Sequence, residues 1–248
     1  MQKILAVVAA LILSACSDNE PSVALPASPK SIPAASSALV SASAVSQGQQ
    51  AESQKQEADE IAKSENLVER DGKKLTLHLQ SGRALELVDS EGCEDYESCR
   101  SYINRGLIAD KQFFWVLVSF YEGGQSLLIS RETGEQVDTI RDPHVSPDGK
   151  FVISASDAEA YEDSGVFLWE INKGALVSRF YFVPADYQLF SFVRWVAPTK
   201  VELKKTASPQ KGVCPENTPA EYPVALVQTN GEWKLEASSD QGKCLANQ

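Results

Sequence analysis

The stretch Val145-Ser146-Pro147-Asp148-Gly149-Lys150-Phe151-Val152 decides the fold class of this chain. Pro147 pre-sets the backbone for the first position of a tight turn, and Asp148-Gly149 complete the turn. The residues that follow, beginning Phe151-Val152-Ile153, are aromatic or β-branched, as strand residues commonly are. The stretch therefore predicts a strand, a turn and a second strand, and this structural role explains it without any catalytic role.

Segments elsewhere in the chain also have strand patterns. Leu75, Leu77 and Leu79 alternate with polar residues, which is the period of two expected of a half-buried strand. Phe113–Val118 and Val166–Trp169 are uninterrupted apolar runs, typical of strands that are covered on both faces. Among these strands, the acidic stretch near Glu94–Asn104 is predicted to be a helix.

The chain contains an internal repeat of hairpin-like units. Each unit places a polar or small residue and then a glycine at a turn, because glycine supplies the positive φ that tight hairpin turns require. The four units are centred on Leu79–Arg83, Ser130–Gly134, Glu170–Gly174 and Val227–Gly231.

Residues 145–152, together with Phe167–Gly174, resemble the strand-turn-strand signature of bacterial periplasmic and WD-type β-propeller blades. The strong match covers Asp142–Phe182, and the neighbouring units match by spacing only. The resemblance implies an all-β fold, a small or incomplete β-propeller-like repeat of hairpin units. The turn glycines are unevenly spaced and Thr206–Glu221 is a long insertion, so a β-sandwich or an open meander is the alternative fold.

The first residues have the pattern of an export signal. Lys3 precedes the apolar run Ile4–Leu13, which is too short to span a bilayer. The run ends in Leu13-Ser14-Ala15-Cys16, which resembles the lipobox of bacterial lipoproteins. The resemblance implies that residues 1–15 are a signal peptide and that acyl chains such as palmitate anchor Cys16 to a membrane. An ordinary signal peptide that contains a cysteine is the alternative.

The residue after the cysteine bears on which membrane holds the anchor. In the lipoprotein family, Asp directly after the cysteine goes with retention in the inner membrane, whereas this chain has Ser17 there and Asp18 one place later. The resemblance therefore implies the outer membrane, with the domain facing the periplasm. The inner membrane and a Gram-positive envelope are the alternatives.

The composition divides the rest of the chain into a tether and a domain. Residues 16–66 begin at the lipidated cysteine and are rich in Ala, Ser, Pro and Gln, so we predict a disordered linker. Ala51–Glu65 within it is a candidate for a transient helix. Residues 67–248 have the length of one domain, and we predict that they form a β-rich globular domain.

Four cysteines besides Cys16 predict two disulfides in an oxidising compartment. Three pairings are possible, and proximity in sequence favours Cys93–Cys99 and Cys214–Cys244. A metal site is disfavoured, because the chain has no C-x-x-C motif and its two histidines, His78 and His144, are isolated. We predict neither a metal nor a cofactor.

Charge and motifs restrict the function further. The formal net charge of −11 opposes binding to nucleic acid or anionic headgroups and favours a basic protein partner, although surplus acid also serves solubility alone. The G-x-S-x-G, H-E-x-x-H and P-loop motifs are all missing from the sequence. The acidic run Asp157–Asp163 does not match an EF-hand loop, since Tyr161 and Glu162 replace an oxygen ligand and the turn glycine.

Aromatic and acidic residues in predicted connections are the candidate protein-binding residues, since a rigid β scaffold presents its loops to partners. They are Tyr96, Glu159, Tyr161, Asp163 and Tyr187. We predict a non-enzymatic, lipid-anchored binding or scaffolding protein that contacts another protein. The alternative is an immunity or inhibitor lipoprotein that blocks a secreted toxin or a cell-wall hydrolase, and an enzyme is the class with least support.

Overall fold

The computed structural model describes residues 39–92, 99–121, 123–156, 164–184, 188–207, 220–237 and 243–245. The chain divides into two compact units, Met1–Ser43 and Ala44–Gln248. Only residues 39–43 of the first unit are described, and they begin helix α1, Leu39–Lys63. The other described elements are strands of the second unit, and the fold is all-β as predicted.

The strands form four antiparallel sheets in chain order. The first sheet consists of β1 Val68–Asp71, β2 Lys74–His78 and β3 Ala84–Val88. The second sheet consists of β4 Arg100–Ile108, β5 Phe113–Phe120, β6 Gly124–Ser130 and β7 Gln136–Thr139.

The third and fourth sheets repeat this simple up-and-down order. The third consists of β8 His144–Val145, β9 Phe151–Ser156, β10 Gly165–Asn172 and β11 Ala175–Phe182. The fourth consists of β12 Gln188–Ala197, β13 Lys200–Ala207, β14 Ala220–Thr229 and β15 Glu232–Ala237, and the short β16 Lys243–Cys244 also pairs with β14.

The glycine turns occupy equivalent places in the four sheets. One glycine with a positive φ precedes the last strand of the main strand order in each sheet. These glycines are Gly82 before β3 (φ 79°), Gly134 before β7 (78°), Gly174 before β11 (71°) and Gly231 before β15 (85°). Residues 146–150 form the predicted turn between β8 and β9, with Gly149 at φ 71°. The predicted repeat of four hairpin units is therefore confirmed.

Two hydrophobic clusters join the sheets in pairs. The first cluster packs leucines of the first sheet, including Leu75 and Leu77, against Phe114 and Val116 of the second sheet. The second cluster packs the third sheet, including Leu168, against the fourth sheet. The residues of the fourth sheet in this cluster include Phe190, Val201, Leu203, Val224 and Leu226. The predicted alternation in β2 is confirmed, because Leu75 and Leu77 are fully buried.

The middle two sheets are buried on their other faces as well. Phe113 and Leu128 of the second sheet, and Val152 and Ser154 of the third, lie on the faces opposite the two clusters and are at most 1% exposed. The Ser154 hydroxyl accepts a hydrogen bond from the Arg141 N–H at 3.0 Å and donates to the Arg141 carbonyl at 2.9 Å. Strands β5 and β10 thus have the two-sided burial that their apolar runs predict.

The outer faces of the first and fourth sheets carry cross-strand ion pairs. On the first sheet the pairs are Lys74–Glu86 at 3.1 Å and His78–Glu69 at 3.1 Å. On the fourth sheet they are Arg194–Glu202 at 2.7 Å and Lys204–Glu221 at 2.8 Å. A closed ring would bury these faces against each other, whereas polar end faces are typical of an open array. The described strands therefore form an open array of small antiparallel sheets, which agrees with the predicted alternative of a β-sandwich or open meander built from hairpin units.

Helix α1 corrects the prediction of a disordered linker over residues 16–66. Residues 39–63 are helical, Ile61 packs against the first cluster, and Ser64 is fully buried. The Ser64 hydroxyl donates to the Ile61 carbonyl at 2.7 Å and accepts from the Val68 N–H at 3.2 Å, which connects the helix to β1. The composition of this segment did not predict a docked helix, because most of its contacts with the sheets are made by polar side chains. Residues 16–38 lie outside the described part.

The helix predicted near Glu94–Asn104 is wrong for its described residues. Arg100–Ile108 form strand β4, which pairs with β5 from Arg100 opposite Phe120 to Ile108 opposite Phe113. The apolar strand β5 needs a partner along this edge, and that tertiary pairing outweighs the local preference of an acidic stretch. Residues 93–98 lie outside the described part.

Two of the predicted disulfide cysteines are described. Cys99 and Cys244 are disulfide-bonded, and Cys99 is 8% exposed. Cys93 and Cys214 lie outside the described residues, so the pairing Cys93–Cys99 and Cys214–Cys244 stays a prediction.

The buried serine between the middle sheets gives a test of the stack. We expect Ser154→Ala to lower the free energy of unfolding by about 1–3 kcal/mol, because it removes the buried hydroxyl that accepts from the Arg141 N–H and donates to the Arg141 carbonyl, which keeps only its bond from Thr139 Oγ1 at 3.2 Å. Ser178→Ala, the same change at an exposed position of β11, should cost less than about 0.5 kcal/mol. Urea denaturation measures both, and equal stabilities would contradict the packing of the middle sheets.

Candidate functional site

The strand order separates the connections into two ends of the stack. We call the two ends the loop end and the turn end. The loop end carries the connections 72–73, 89–99, 121–123, 140–143, 157–164, 183–187 and 208–219. The turn end carries the shorter connections 79–83, 109–112, 131–135, 146–150, 173–174, 198–199 and 230–231.

Hydrogen bonds between successive sheets keep these ends in line. At the loop end the Ser90 N–H donates to the Arg100 carbonyl at 2.9 Å, and the Ser164 hydroxyl donates to the Gln188 carbonyl at 2.6 Å. At the turn end the Gln80 N–H donates to the Arg131 carbonyl at 2.8 Å. These bonds align the first sheet with the second and the third sheet with the fourth, so the loop-end connections of each pair of sheets lie side by side.

Four of the seven large exposed apolar side chains among the described residues lie at the loop end, whereas Val177, Val193 and Val196 lie elsewhere on β11 and β12. Val88 ends β3, Tyr121 follows β5, and Tyr181 and Val183 lie at the end of β11; their exposures are 57%, 59%, 68% and 45%. The Tyr181 ring packs edge-on against Phe167, with ring centroids 4.7 Å apart. A rigidly held, exposed aromatic ring beside other apolar groups is the kind of surface that binds proteins.

The predicted binding residues fall in connections of this same end. Tyr96 belongs to connection 89–99, Glu159, Tyr161 and Asp163 belong to connection 157–164, and Tyr187 belongs to connection 183–187. All five residues lie outside the described part of the chain, so their roles stay predictions. Their flanking strands bring the three connections to one end of the stack.

A cluster of buried charges holds helix α1 beside the first two sheets. The Arg70 guanidinium donates to Glu57 Oε1 at 2.7 Å, to Asp89 Oδ2 at 3.3 Å and to the Tyr102 carbonyl. Glu57 Oε1 also accepts the Asn104 N–H at 2.8 Å, on the edge of β4. We call Glu57, Arg70 and Asp89 the ion cluster; their side chains are 11%, 18% and 22% exposed.

A groove of about 650 Å³ opens between α1 and the first two sheets. The helix side of the groove includes Ser53, Gln54 and Ala58, and the sheet side includes Gly72 and Ser101. Gly72 and Ser101 lie at the loop end, so the groove belongs to the same end as the exposed apolar residues. Sequence reasoning missed the groove and the ion cluster, because Glu57, Arg70 and Asp89 are far apart in the chain and form no motif.

A second cleft, of about 490 Å³, contains His144 between β8 and β12. The His144 ring stacks on Phe192 with centroids 3.7 Å apart, and the His144 carbonyl accepts a hydrogen bond from Trp195 Nε1 at 3.1 Å. Burial lowers the pKa of His144, and the charge of Asp142 opposes that shift. The stacking on Phe192 accounts for the His144 ring as a packing group, and His78 lies apart from it, paired with Glu69.

Over the described ranges, no group of three or more His, Cys, Asp or Glu side chains could hold a metal ion. No helix in that part of the chain is both long and apolar enough to cross a bilayer.

The ion cluster gives a test of how α1 is held. We expect Glu57→Gln to lower the free energy of unfolding by about 2 kcal/mol, because it removes a charged acceptor from a buried guanidinium. Glu52→Gln, the same change on an exposed position of α1, should change it by less than about 0.5 kcal/mol. Thermal or urea unfolding distinguishes the two variants. An unchanged free energy of unfolding in Glu57→Gln would mean that this contact does not hold α1.

A scan of the sequence against protein-family models finds no matching family, and a search of curated proteins finds no significant match.

Proposed function

We propose that this protein is a lipid-anchored lipoprotein of the bacterial cell envelope that binds another protein with its loop end. In this proposal Cys16 is lipidated after removal of residues 1–15, the anchor lies in the outer membrane, and the domain faces the periplasm. The protein acts by binding or scaffolding, without catalysis.

The lipid anchor is supported by the sequence Leu13-Ser14-Ala15-Cys16 after a short apolar run. Acyl chains contribute about 0.8 kcal/mol for each buried CH₂ group, so several chains on one cysteine hold a protein to a bilayer. Ser17, in place of Asp, supports the outer membrane.

The binding role is supported by one observation above the others. Antiparallel strand order gathers the connections that contain the candidate residues to the end where Val88, Tyr121, Tyr181 and Val183 are exposed. Rigid sheets that support clustered loops are a common basis for protein recognition, and this step is an analogy from the fold.

An immunity or inhibitor lipoprotein is the second candidate, and the charge of the chain favours it. The formal net charge is −11, and Glu159 and Asp163 add carboxylates to a loop-end connection. Such a surface attracts a basic toxin or hydrolase and speeds its association. Inhibition of a hydrolase by the purified protein would favour this candidate over a scaffold.

Metabolic labelling tests the anchor. We expect the wild-type chain to incorporate labelled palmitate and Cys16→Ser to incorporate none, because the acyl chains require the Cys16 thiol. The measurement is autoradiography of the immunoprecipitated protein from cells grown with the label. Label on Cys16→Ser would contradict the lipoprotein assignment.

Photocrosslinking in cells tests the binding surface. A photoreactive phenylalanine analogue at position 121 or 181, both at the loop end, should yield a covalent adduct with a protein partner. The same analogue at position 196 is the matched control, because Val196 is 47% exposed and ends β12 near the turn end. Adducts that form equally from position 196, or from no position, would contradict binding through the loop end.

A further inference from the structure

The groove between α1 and the first two sheets has the size and the lining of a ligand site. Its volume of about 650 Å³ lies within the range of roughly 300–1,000 Å³ that is usual for sites that bind organic groups. Ala58, Ile61 and Ile103 supply apolar surface, and Ser53 and Ser101 supply hydroxyl groups. Such walls match a long side chain that has an aliphatic stem and a polar end.

The charges that line this groove are unequal in number. Glu57 and Asp89 contribute two carboxylates, and both bond to the single guanidinium of Arg70. No other basic side chain among the described residues lines the groove. The three side chains are only 11%, 22% and 18% exposed, so water screens them poorly. A carboxylate in excess of the available cations is costly in such surroundings, and a cation from outside reduces that cost.

Glu57 is the carboxylate that is best placed to receive this cation. The residue is 9% exposed, and its Oε1 accepts hydrogen bonds from Arg70 at 2.7 Å and from the Asn104 N–H at 2.8 Å. Both oxygens of Asp89 are occupied, by the Tyr102 N–H and by Arg70. Glu57 Oε2, in contrast, accepts no hydrogen bond from any residue that the structure describes. A nearly buried carboxylate oxygen with spare acceptor capacity, on a residue that lines a groove, is suited to a charge-assisted hydrogen bond.

We infer that the groove binds a basic side chain, lysine or arginine, of the protein partner. The charged end of this side chain contacts Glu57 Oε2, and its aliphatic stem packs on Ala58 and Ile61. Lysine and arginine are the side chains that combine a cationic end with methylene groups that cover apolar surface. This inference rests on the proposed function, because it takes the occupant to be part of a protein.

Charge and donor count disfavour the other classes of occupant. Phosphate groups of lipids or nucleic acids would meet the carboxylates of Glu57 and Asp89 with like charge. A bare metal ion lacks ligands, because no group of three or more suitable side chains occurs in the described part of the chain. The formal net charge of −11 attracts basic protein surface toward the groove.

Titration of the purified full-length protein with blocked amino acids tests the groove. The probes are the Nα-acetyl-N-methylamides of lysine, arginine and norleucine, and norleucine has the stem without the charge. Amide NMR signals of Gly72 and Ser101, which line the groove, report binding. We expect at least one basic probe to bind about ten times more tightly than norleucine, because only a basic probe bonds to a carboxylate. Equal binding of norleucine, or shifts that spare Gly72 and Ser101, would overturn the inference.

Two pairs of variants control for effects outside the groove. Ala58→Phe fills the groove from an exposed position of α1 and should abolish binding of the basic probes, whereas Ala51→Phe makes the same change outside the lining. Gln54→Lys places a cation in the groove and should weaken binding, whereas Glu52→Gln makes the same change in charge outside it. Circular dichroism checks that all four variants fold. Wild-type binding by folded Ala58→Phe or Gln54→Lys would overturn the site.

The photocrosslinked adduct identifies the source of the basic group. Gln54→Lys should lower the yield of the adduct from position 121, and Glu52→Gln should not, because the groove and the adduct share one partner. An unchanged yield with Gln54→Lys would overturn a protein as the occupant. Adducts from positions 121 and 181 without binding of either basic probe would overturn the groove site alone. Binding of a basic probe without any adduct would support the groove site and contradict the proposed binding surface.

Discussion

The contacts of one guanidinium hold helix α1 against the first two sheets. Arg70 belongs to β1, yet it binds Glu57 of α1, Asp89 of the connection to the second sheet and the Tyr102 carbonyl of β4. Buried ion pairs contribute little net stability compared with apolar packing, but removing one partner is costly and fixes which elements meet. The position of α1 beside the first two sheets depends on this cluster.

Burial on one face or on both faces decides how the four sheets are arranged. The middle sheets place apolar or small side chains on each face, such as Val152 at 0% exposure, and can be stable only between two neighbours. The end sheets replace those side chains with ion pairs such as Lys74–Glu86 and Lys204–Glu221. Exposed pairs of this kind add little stability, but charged faces prevent another sheet from stacking on them. In the described part of the chain, these charged faces therefore mark the two ends of the array of sheets.

Features that depend on residues close in sequence were predicted correctly, whereas features that depend on contacts between distant residues were missed. The turn at Pro147-Asp148-Gly149 and the alternation of Leu75 with Leu77 are local properties, and both were predicted correctly. Helix α1 was predicted only as a transient helix within a disordered linker, because its docking depends on Arg70 and Asn104, which are distant in the chain. The residues of strand β4 were assigned to a helix because their strand conformation depends on pairing with β5, which local sequence does not reveal. The candidate binding residues came from composition, and only the strand order relates their connections to one another.

The same physical features bear on both anchoring and recognition. If the proposed lipid anchor holds this acidic domain near a bilayer, anionic headgroups repel it, and its apolar loop-end residues are then available to a protein. The exposed Tyr181 is braced by Phe167 and loses little side-chain freedom on binding, which favours affinity at a small contact. In the proposed function the lipid anchor limits diffusion, so a partner at the same membrane would be present at a high effective concentration, and a modest intrinsic affinity would suffice for binding. A small, preorganised surface is therefore adequate for a lipid-anchored protein, whereas a freely diffusing protein would need a larger one.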